Sequence, residues 1–537
     1  MAADEWGQTP GNARGQTPGQ RPSSTLTPAP APAAEHSDPS REEGASVSRL
    51  MITLAVMSAT LIQVLDTTIV NVALPHMAGE LGATTDQISW VLTSYLVSSA
   101  IVMPLTGYFA DTIGRKRFLL ICIAGFVTAS GLCGIAQGLV QIVLFRLLQG
   151  VFGAALVPLS QAIMTDAYPP EDRGKAMAIW GLGVMVGPVL GPTLGGWLTD
   201  VASWRWTFYI NVPVGALSFF LATTYISESK RRERHMDWTG LALLGAGIAG
   251  LQYMLDRGTT QDWFAAWDIR ISAAMAVAGG VGFVWWSLRL GSRALFDLRI
   301  FADRNFAVAC GVMLALGLGL FGGLVLQPIL LERLLDYPIT TTGFVMAPRG
   351  VATAVAMLVV GRLIGKVDAR LLVGAGMLLS GAGSWAMTRY SLDISTFWLI
   401  WPAALQGLGL GLIFVPLSTI AYATLARARM AEAAGIYSLV RTIGAAAGIS
   451  VVTTLMTRQA QVLWNELGAH VTIYNRAFTD YARSLHLSPT DPHAVAIVAG
   501  QVGQQAQMGA IIDVFAVTAW SFLLMLPLIF LLKRGRK

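Results

Sequence analysis

From Met51 to Leu532 the chain is laid out as apolar runs of about twenty residues, and that spacing leaves few folds open. Crossing roughly 30 Å of hydrocarbon takes about 20 apolar residues in a helix, or about ten alternating residues in a strand. In lipid every backbone N–H and C=O must be satisfied within the protein, which admits only helix bundles and closed barrels. The runs are continuous, not alternating, so the expected fold is all-α, a polytopic membrane helix bundle. They fall at 51–75, 88–110, 117–136, 140–168, 175–198, 205–226, 239–256, 269–290, 306–331, 340–363, 370–390, 396–424, 433–457 and 509–532, fourteen in all. The composition agrees, with 54% hydrophobic and 13% charged residues.

Charge placement then orients the bundle. The net charge of +6 is dispersed over short loops and so does not point to nucleic acid. All six lysines fall on one predicted side, together with Arg115, Arg117, Arg173, Arg231, Arg362 and Arg429. By the positive-inside rule that side is cytoplasmic, which places both termini in the cytoplasm of an inner (plasma) membrane protein. Residues 1–48 are rich in Pro, Gly, Ser and Thr and poor in large apolar side chains, so a disordered tail is expected. No charged n-region with a short apolar stretch opens the chain, so no cleavable signal peptide is expected. Cys122, Cys133 and Cys310 lie inside predicted spans, as small packing residues and not as a disulfide or metal framework.

The chain also repeats itself. Leu148-Gln149-Gly150 followed by Val157-Pro158-Leu159-Ser160 recurs as Leu405-Gln406-Gly407 followed by Val415-Pro416-Leu417-Ser418. The charged turn Gly107 to Arg117 has a worn copy from Gly361 to Arg370. Two homologous halves around a central site are a common build of secondary transporters. The expected division is a tail (1–48), an N-terminal six-helix half (49–228), an inserted two-helix hairpin with its linkers (229–304) and a C-terminal six-helix half (305–537). The last contains a long outer hairpin, 458–508.

Polar residues inside the runs are the site candidates, because an ionisable group in a span is costly. Gln63, Asp66, Thr67 and Asn71 are spaced by three and four and form one stripe on a helix. The stripe is either a satisfied interhelical hydrogen-bond network or a proton site. In the second case an apolar setting favours the neutral carboxyl and makes proton uptake possible near neutral pH. Arg146, with Gln149 beside it, is a possible partner for Asp66, and Arg441 is a second intramembrane cation. Span 5 carries Gly187-Pro188, Gly191-Pro192 and Gly195-Gly196, a four-residue period too regular for generic small-residue packing. Two prolines in mid-helix are tolerated in a membrane where neighbours satisfy the freed carbonyls.

The turn Gly107-Tyr-Phe-Ala-Asp111-Thr-Ile-Gly114-Arg115-Lys116-Arg117 resembles the signature loop of the major facilitator superfamily. There, the aspartate and the basic residues form a latch on the cytoplasmic face. Leu65-Asp66-Thr-Thr-Ile-Val-Asn71-Val-Ala-Leu-Pro75 and Trp204-Arg-Trp206-Thr-Phe-Tyr-Ile-Asn211-Val-Pro213 resemble the first and sixth helices of the fourteen-span drug:proton antiporters, the EmrB/QacA group. The stretch Leu251 to Gly258 and the long outer segment look like its EmrB branch. The resemblance implies proton-driven efflux of hydrophobic or amphipathic compounds by alternating access, with Asp66 and Arg146 coupling the proton. It implies a substrate cavity near Gln63, Thr67, Asn71, Gln149 and Arg441, and no cofactor beyond the proton. The span-5 glycines and prolines resemble the family's antiporter motif. The degenerate second loop puts the latch chiefly in the first half. The same motifs also serve dedicated exporters of one endogenous metabolite, which is the alternative reading.

Residues 458–508 are long for a connection. Pro489 and Pro492 divide two helix-like pieces, near 458–484 and 493–508, and apolar residues interleave with polar ones in both. A solvated hairpin is one reading. The other, implied by the resemblance, is a surface for a membrane-fusion adaptor (EmrA-like) leading to an outer-membrane channel (TolC-like). An enzyme is not expected: there is no His-x-x-x-His pair, no Gly-x-Ser-x-Gly and no phosphate loop. His76, His235, His470, His486 and His493 lie at span ends or in loops without ligand spacing.

Overall fold

The computed structural model describes residues 39–169, 172–229, 231, 235–364, 366–426, 429–484, 486, 488 and 490–532. The chain divides into two units, Met1–Ser46 and Val47–Lys537. Residues 39–48 are helical where the tail 1–48 was expected to be disordered, and the rest of that tail, 1–38, lies outside the described residues.

The second unit is built from long helices, and its described residues contain no β-strand. In chain order they are α1 (Ser48–Glu80), α2 (Trp90–Thr112), α3 (Arg115–Gly134), α4 (Leu139–Ala167), α5 (Arg173–Val201), α6 (Trp206–Tyr225) and α7 (Trp238–Arg257). They continue as α8 (Trp267–Leu290), α9 (Arg304–Ile329), α10 (Ile339–Leu363), α11 (Ala369–Met387), α12 (Thr396–Ala423), α13 (Met430–Ala469) and α14 (Pro492–Ile529). Each coincides with an apolar run, to within a few residues at most ends. Among the described residues, eleven are long and apolar enough to cross a membrane. Helices α5, α9 and α11 occupy the other three expected positions. The protein is therefore a multi-pass membrane helix bundle.

Local chemistry sets the helix starts. Asp237, Asp303, Asp368 and Asp491 each accept a backbone N–H from the first turn of α7, α9, α11 and α14. Gly114 opens α3 at φ 97°, a conformation that penalises any side chain bearing a Cβ. Its neighbourhood is filled as well, since a Cβ there would run into the Glu228 carboxylate.

Within the N-terminal half α2 packs on α4, and α3 on both α4 and α6. In the C-terminal half α12 packs on α10 and α11, and α13 on α9 and α14. The halves meet along α5–α10, and where α13 crosses α2 and α4. The inserted helices α7 and α8 pair through Gly247 and Gly279, whose backbones touch so closely that a Cβ on Gly247 would lie 2.9 Å from Gly280 N. Small residues at such a crossing are the usual device for helix pairing in lipid. Helix α7 is tied to α2 by Thr93 donating to Asp256, by Arg257 donating to Ser89 Oγ at 2.9 Å, and by Arg257 lying over the Trp90 ring.

The linker from α8 to α9 is folded, not loose. Leu295, Phe296 and Ile300 are buried in the main apolar core, and Asp237 accepts from Leu295 N and from Trp286 Nε1. Asp297 N donates to Glu432 Oε1 at 2.8 Å, and its carboxylate faces Arg429 at 3.4 Å. The insertion thus reaches the first turn of α13.

The outer hairpin departs from its expected division. The piece expected over 458–484 is split: α13 runs unbroken to Ala469, and a short helix, Arg476–Ser484, follows a turn. The second piece is continuous with α14. Nothing between 457 and 467 breaks a helix, whereas Gly468 and the β-branched Val471-Thr472-Ile473 do, and Asp491-Pro492 supply a cap and a first-turn proline. At 1.5 Å per residue, α13 is about 60 Å long, twice the hydrocarbon thickness.

Candidate functional site

Asp66 is fully buried on α1, and three donors converge on its carboxylate. Arg146 Nη1 on α4 donates to Oδ2 at 2.6 Å. Gln149 Nε2, one turn on, donates to Oδ1 at 2.8 Å, and Asn211 Nδ2 on α6 donates to the same oxygen at 3.1 Å. Arg146 has no solvent exposure either. Its Nε donates to Val91 O at 3.0 Å, its Nη1 also reaches Gln149 Oε1 at 2.8 Å, and its carbon lies 4.3 Å from the centre of the Tyr95 ring. Nη2 has no hydrogen-bond partner among the described residues. An arginine buried this deeply needs its carboxylate, because an unpaired charge in such a place costs several kcal/mol.

A second shell holds these groups in place. Asn211 also donates to Ser130 Oγ, which donates to Phe208 O, and Gln63 Nε2 donates to Tyr95 OH at 3.3 Å. The stripe predicted on α1 therefore divides. Gln63 and Asp66 join the cluster, whereas Thr67 and Asn71 bond their own helix backbone, at Val64 O and Thr67 O. Asn71 is exposed. Asn211, Ser130 and Tyr95 were not anticipated as site residues. The polar Asn211 at the head of an apolar helix was the available signal; for Ser130 there was none.

The glycines of α5 bracket this cluster from behind. A Cβ on Gly187 would meet Val64 O at 2.8 Å, one on Gly195 would meet Ile69 O at 2.7 Å, and one on Gly191 would strike Thr68. Thr68 Oγ1 donates to Gly187 O at 3.0 Å. Gly196 is buried. The four-residue spacing thus lays α5 backbone-to-backbone along the turns of α1 that carry Asp66. The side chains of Pro188 and Pro192 lie outside the described residues.

At the end of the bundle carrying the basic loops, Arg115 forms an ion pair with Asp166, the acid at the end of α4. Arg115 N donates to Ser229 Oγ, Lys116 N to Glu228, and Lys116 Nζ to Thr223 O at 2.6 Å. Asp111 lies in the last turns of α2 and is half-buried. Gly107 supplies the contact with the other half: a Cβ there would lie 2.8 Å from Glu432 Cα. Its counterpart Gly361 faces Ala178 Cβ at 2.9 Å. Further in, Tyr422 OH donates to Gln161 Oε1 at 3.0 Å, and Trp180 stacks on Phe414 across the halves.

The C-terminal half holds one buried and one half-buried cation. Arg349 on α10, which the sequence reading passed over, donates from Nη1 to Gln327 Oε1 at 3.3 Å. Arg441 is half-buried on α13 and makes no ion pair among the described residues. It does not approach the Asp66 cluster through any hydrogen bond.

Helix α5 packs on α10, and α13 packs on α2 and α4, with Gly107 at the second of these approaches. Residues 56–449 match the family model described as Major Facilitator Superfamily. The chain belongs to the major facilitator superfamily. Among facilitators it is 36% identical over 489 residues to the fatty acid resistance protein FarB of Neisseria gonorrhoeae, covering 90% of this chain and 96% of that one. It is 34% identical over 495 residues to the multidrug export protein EmrB of Escherichia coli strain K12, covering 91% and 96%. The fold is similar to that of the human organic anion transporter MFSD10 (TM-score 0.57, 15% identity, covering 92% of this chain and all of that one). It is also similar to the proton:xylose symporter XylE (TM-score 0.56, 13% identity, covering 88% and 95%).

Proposed function

We propose that this facilitator is a proton-driven exporter of hydrophobic or amphipathic compounds, working by alternating access across an inner membrane that it spans fourteen times with both termini in the cytoplasm. Similarity to a multidrug export protein and a fatty acid resistance protein over nearly the whole chain supports export. The observation that carries proton coupling is the Asp66 carboxylate, fully buried and bonded to Arg146, Gln149 and Asn211.

A proton arriving on Asp66 turns an acceptor oxygen into a donor, which Arg146 cannot meet. The guanidinium is then left without its counter-charge and must find other partners, so α4 and α1 favour a different packing. The α5 glycines transmit that change, because at Gly187, Gly191 and Gly195 α5 has no side chain of its own between its backbone and Val64, Thr68 and Ile69 of α1. In the present conformation the basic end is closed by Gly107 on Glu432 and by the Gln161–Tyr422 and Trp180–Phe414 contacts. We assign this as the outward-facing state, with Arg115 and Lys116 bracing the closed face. Residues 458–508 then serve as the surface for a periplasmic adaptor that leads to an outer-membrane channel.

The test is transport by purified protein in vesicles under an imposed pH gradient. Wild type should concentrate an amphipathic dye and Asp66→Asn should not. Equal gradient-driven uptake by the two would remove Asp66 from the mechanism.

A further inference from the structure

Where α13 and α14 rise past the last turn of α9, their facing surfaces stand apart around a cleft of about 590 Å³. That is the size of a small-molecule site, for which roughly 300–1,000 Å³ is usual. One wall is a single face of α13, containing Met456, Gln461 and Trp464, and the opposite wall is a face of α14 containing Gln507. The gap is open at Gly503, where a Cβ would find only the Trp464 indole, 4.0 Å away. Trp464 keeps 47% of its surface exposed.

The mouth of the cleft has a feature that packing alone does not require. At its end α9 widens into a π-turn, Leu330–Leu334, locked by Leu335 N donating to Leu330 O and Tyr337 N to Leu331 O. Such turns are rare and recur at functional sites. This one buries Leu330, Leu331 and Leu334 while turning Arg333 into the cleft, where it is the one ionisable group among the lining residues. Arg333 makes no hydrogen bond or ion pair with a described residue. An aromatic face, apolar side chains, several amides and one guanidinium, which has the Glu332 carboxylate beside it on the same turn, converge on an opening of drug size.

We propose that this cleft is a second ligand site, separate from the Asp66 cluster, that binds an amphipathic anion. Its apolar body lies on Trp464 and Met456 and its carboxylate or phosphate on Arg333. The proposal rests on the export reading in placing the cleft on the exit side, where a released compound is held before it leaves the pump. An anionic lipid headgroup presents the same chemistry and is the other source of such a ligand.

The experiment measures binding of a dansyl-labelled long-chain carboxylate, and of its neutral amide, to the full-length protein in phosphatidylcholine nanodiscs. Arg333→Gln should weaken one class of carboxylate sites by about tenfold and leave the amide unaffected, as expected for loss of a charge-assisted hydrogen bond. Arg333→Lys should restore most of the affinity, and Trp464→Ala should weaken both probes. Adding phosphatidylglycerol should displace the carboxylate from wild type, but not change binding to Arg333→Gln, if the lipid is the natural occupant. No displacement assigns the site to exported compounds. Unchanged affinity for both probes in Arg333→Gln and Trp464→Ala overturns the proposal. Transport under a pH gradient separates the two ideas: wild type that binds in an Arg333-dependent way but does not transport keeps the cleft and loses the exporter.

Discussion

The same short sequence, Leu-Gln-Gly, sits at matched places in the two halves and does different work in each. In the first half Gly150 brings α4 onto the backbone of Tyr95 in α2; in the second, Gly407 brings α12 onto the backbone of Arg349 in α10. The close approach is shared. The neighbouring chemistry is not: one turn before Gln149 stands Arg146, and one turn before Gln406 stands Ala403. Gln149 therefore hydrogen-bonds both members of a buried ion pair, while Gln406 donates to Ser384 Oγ at 2.8 Å and its own Oε1 has no partner among the described residues. The repeat preserves helix geometry and lets charge diverge. The scaffold thus holds a buried ion pair beside the first copy and a neutral hydrogen bond at the second.

The largest expected effect tests that asymmetry directly. Asp66→Asn keeps the shape of the side chain but cannot titrate, so gradient-driven transport in vesicles should fall to the leak of protein-free vesicles while the protein still elutes as a folded monodisperse species. Next, Arg146→Ala strands a buried carboxylate and should lower stability by about 3–5 kcal/mol. Gln406→Ala in the other half removes one neutral hydrogen bond and should cost about 1 kcal/mol. Thermal unfolding in matched detergent reads both, and equal losses would end the claim that the halves differ. The latch comes third. Gly107→Val pushes into the backbone of Glu432, and Arg115→Ala removes the partner of Asp166, so each should shift the two-state balance by about tenfold toward opening at the basic end. Labelling of single cysteines on the two faces measures this shift. The smallest effect is expected for Gly361→Ala, whose new methyl meets one atom closely, Ala178 Cβ at 2.9 Å, whereas one on Gly107 meets three atoms of Glu432 within 3.0 Å. Its accessibility pattern should stay within about twofold of wild type.

Much of this architecture could be read from the chain before any coordinates. Apolar runs locate helices well in a membrane protein, since lipid permits so few alternatives. The pairing of Asp66 with Arg146 was also within reach, as two costly ionisable residues in lipid must find each other. The rest depended on rotation about helix axes. Gln63, Asp66, Thr67 and Asn71 share a spacing, yet Thr67 and Asn71 bond their own helix backbone and do not join the cluster. Asn211 and Ser130 come from α6 and α3, and no spacing within one helix announces a partner on another. Arg115 likewise turned out to face Asp166, an acid fifty-odd residues away in sequence, where the motif itself supplies only Asp111.

The linker between α8 and α9 has one more consequence. A pair of helices inserted between two complete halves looks removable, a passenger that a shorter relative could dispense with. Here it has become hereditary baggage that cannot be set down. Cutting out 229–304 would leave Glu432 without the Asp297 amide and expose the surfaces that Leu295, Phe296 and Ile300 now cover. A segment packed into the core and bonded to the first turn of α13 is held to the same close-packing constraints as the helices it joins.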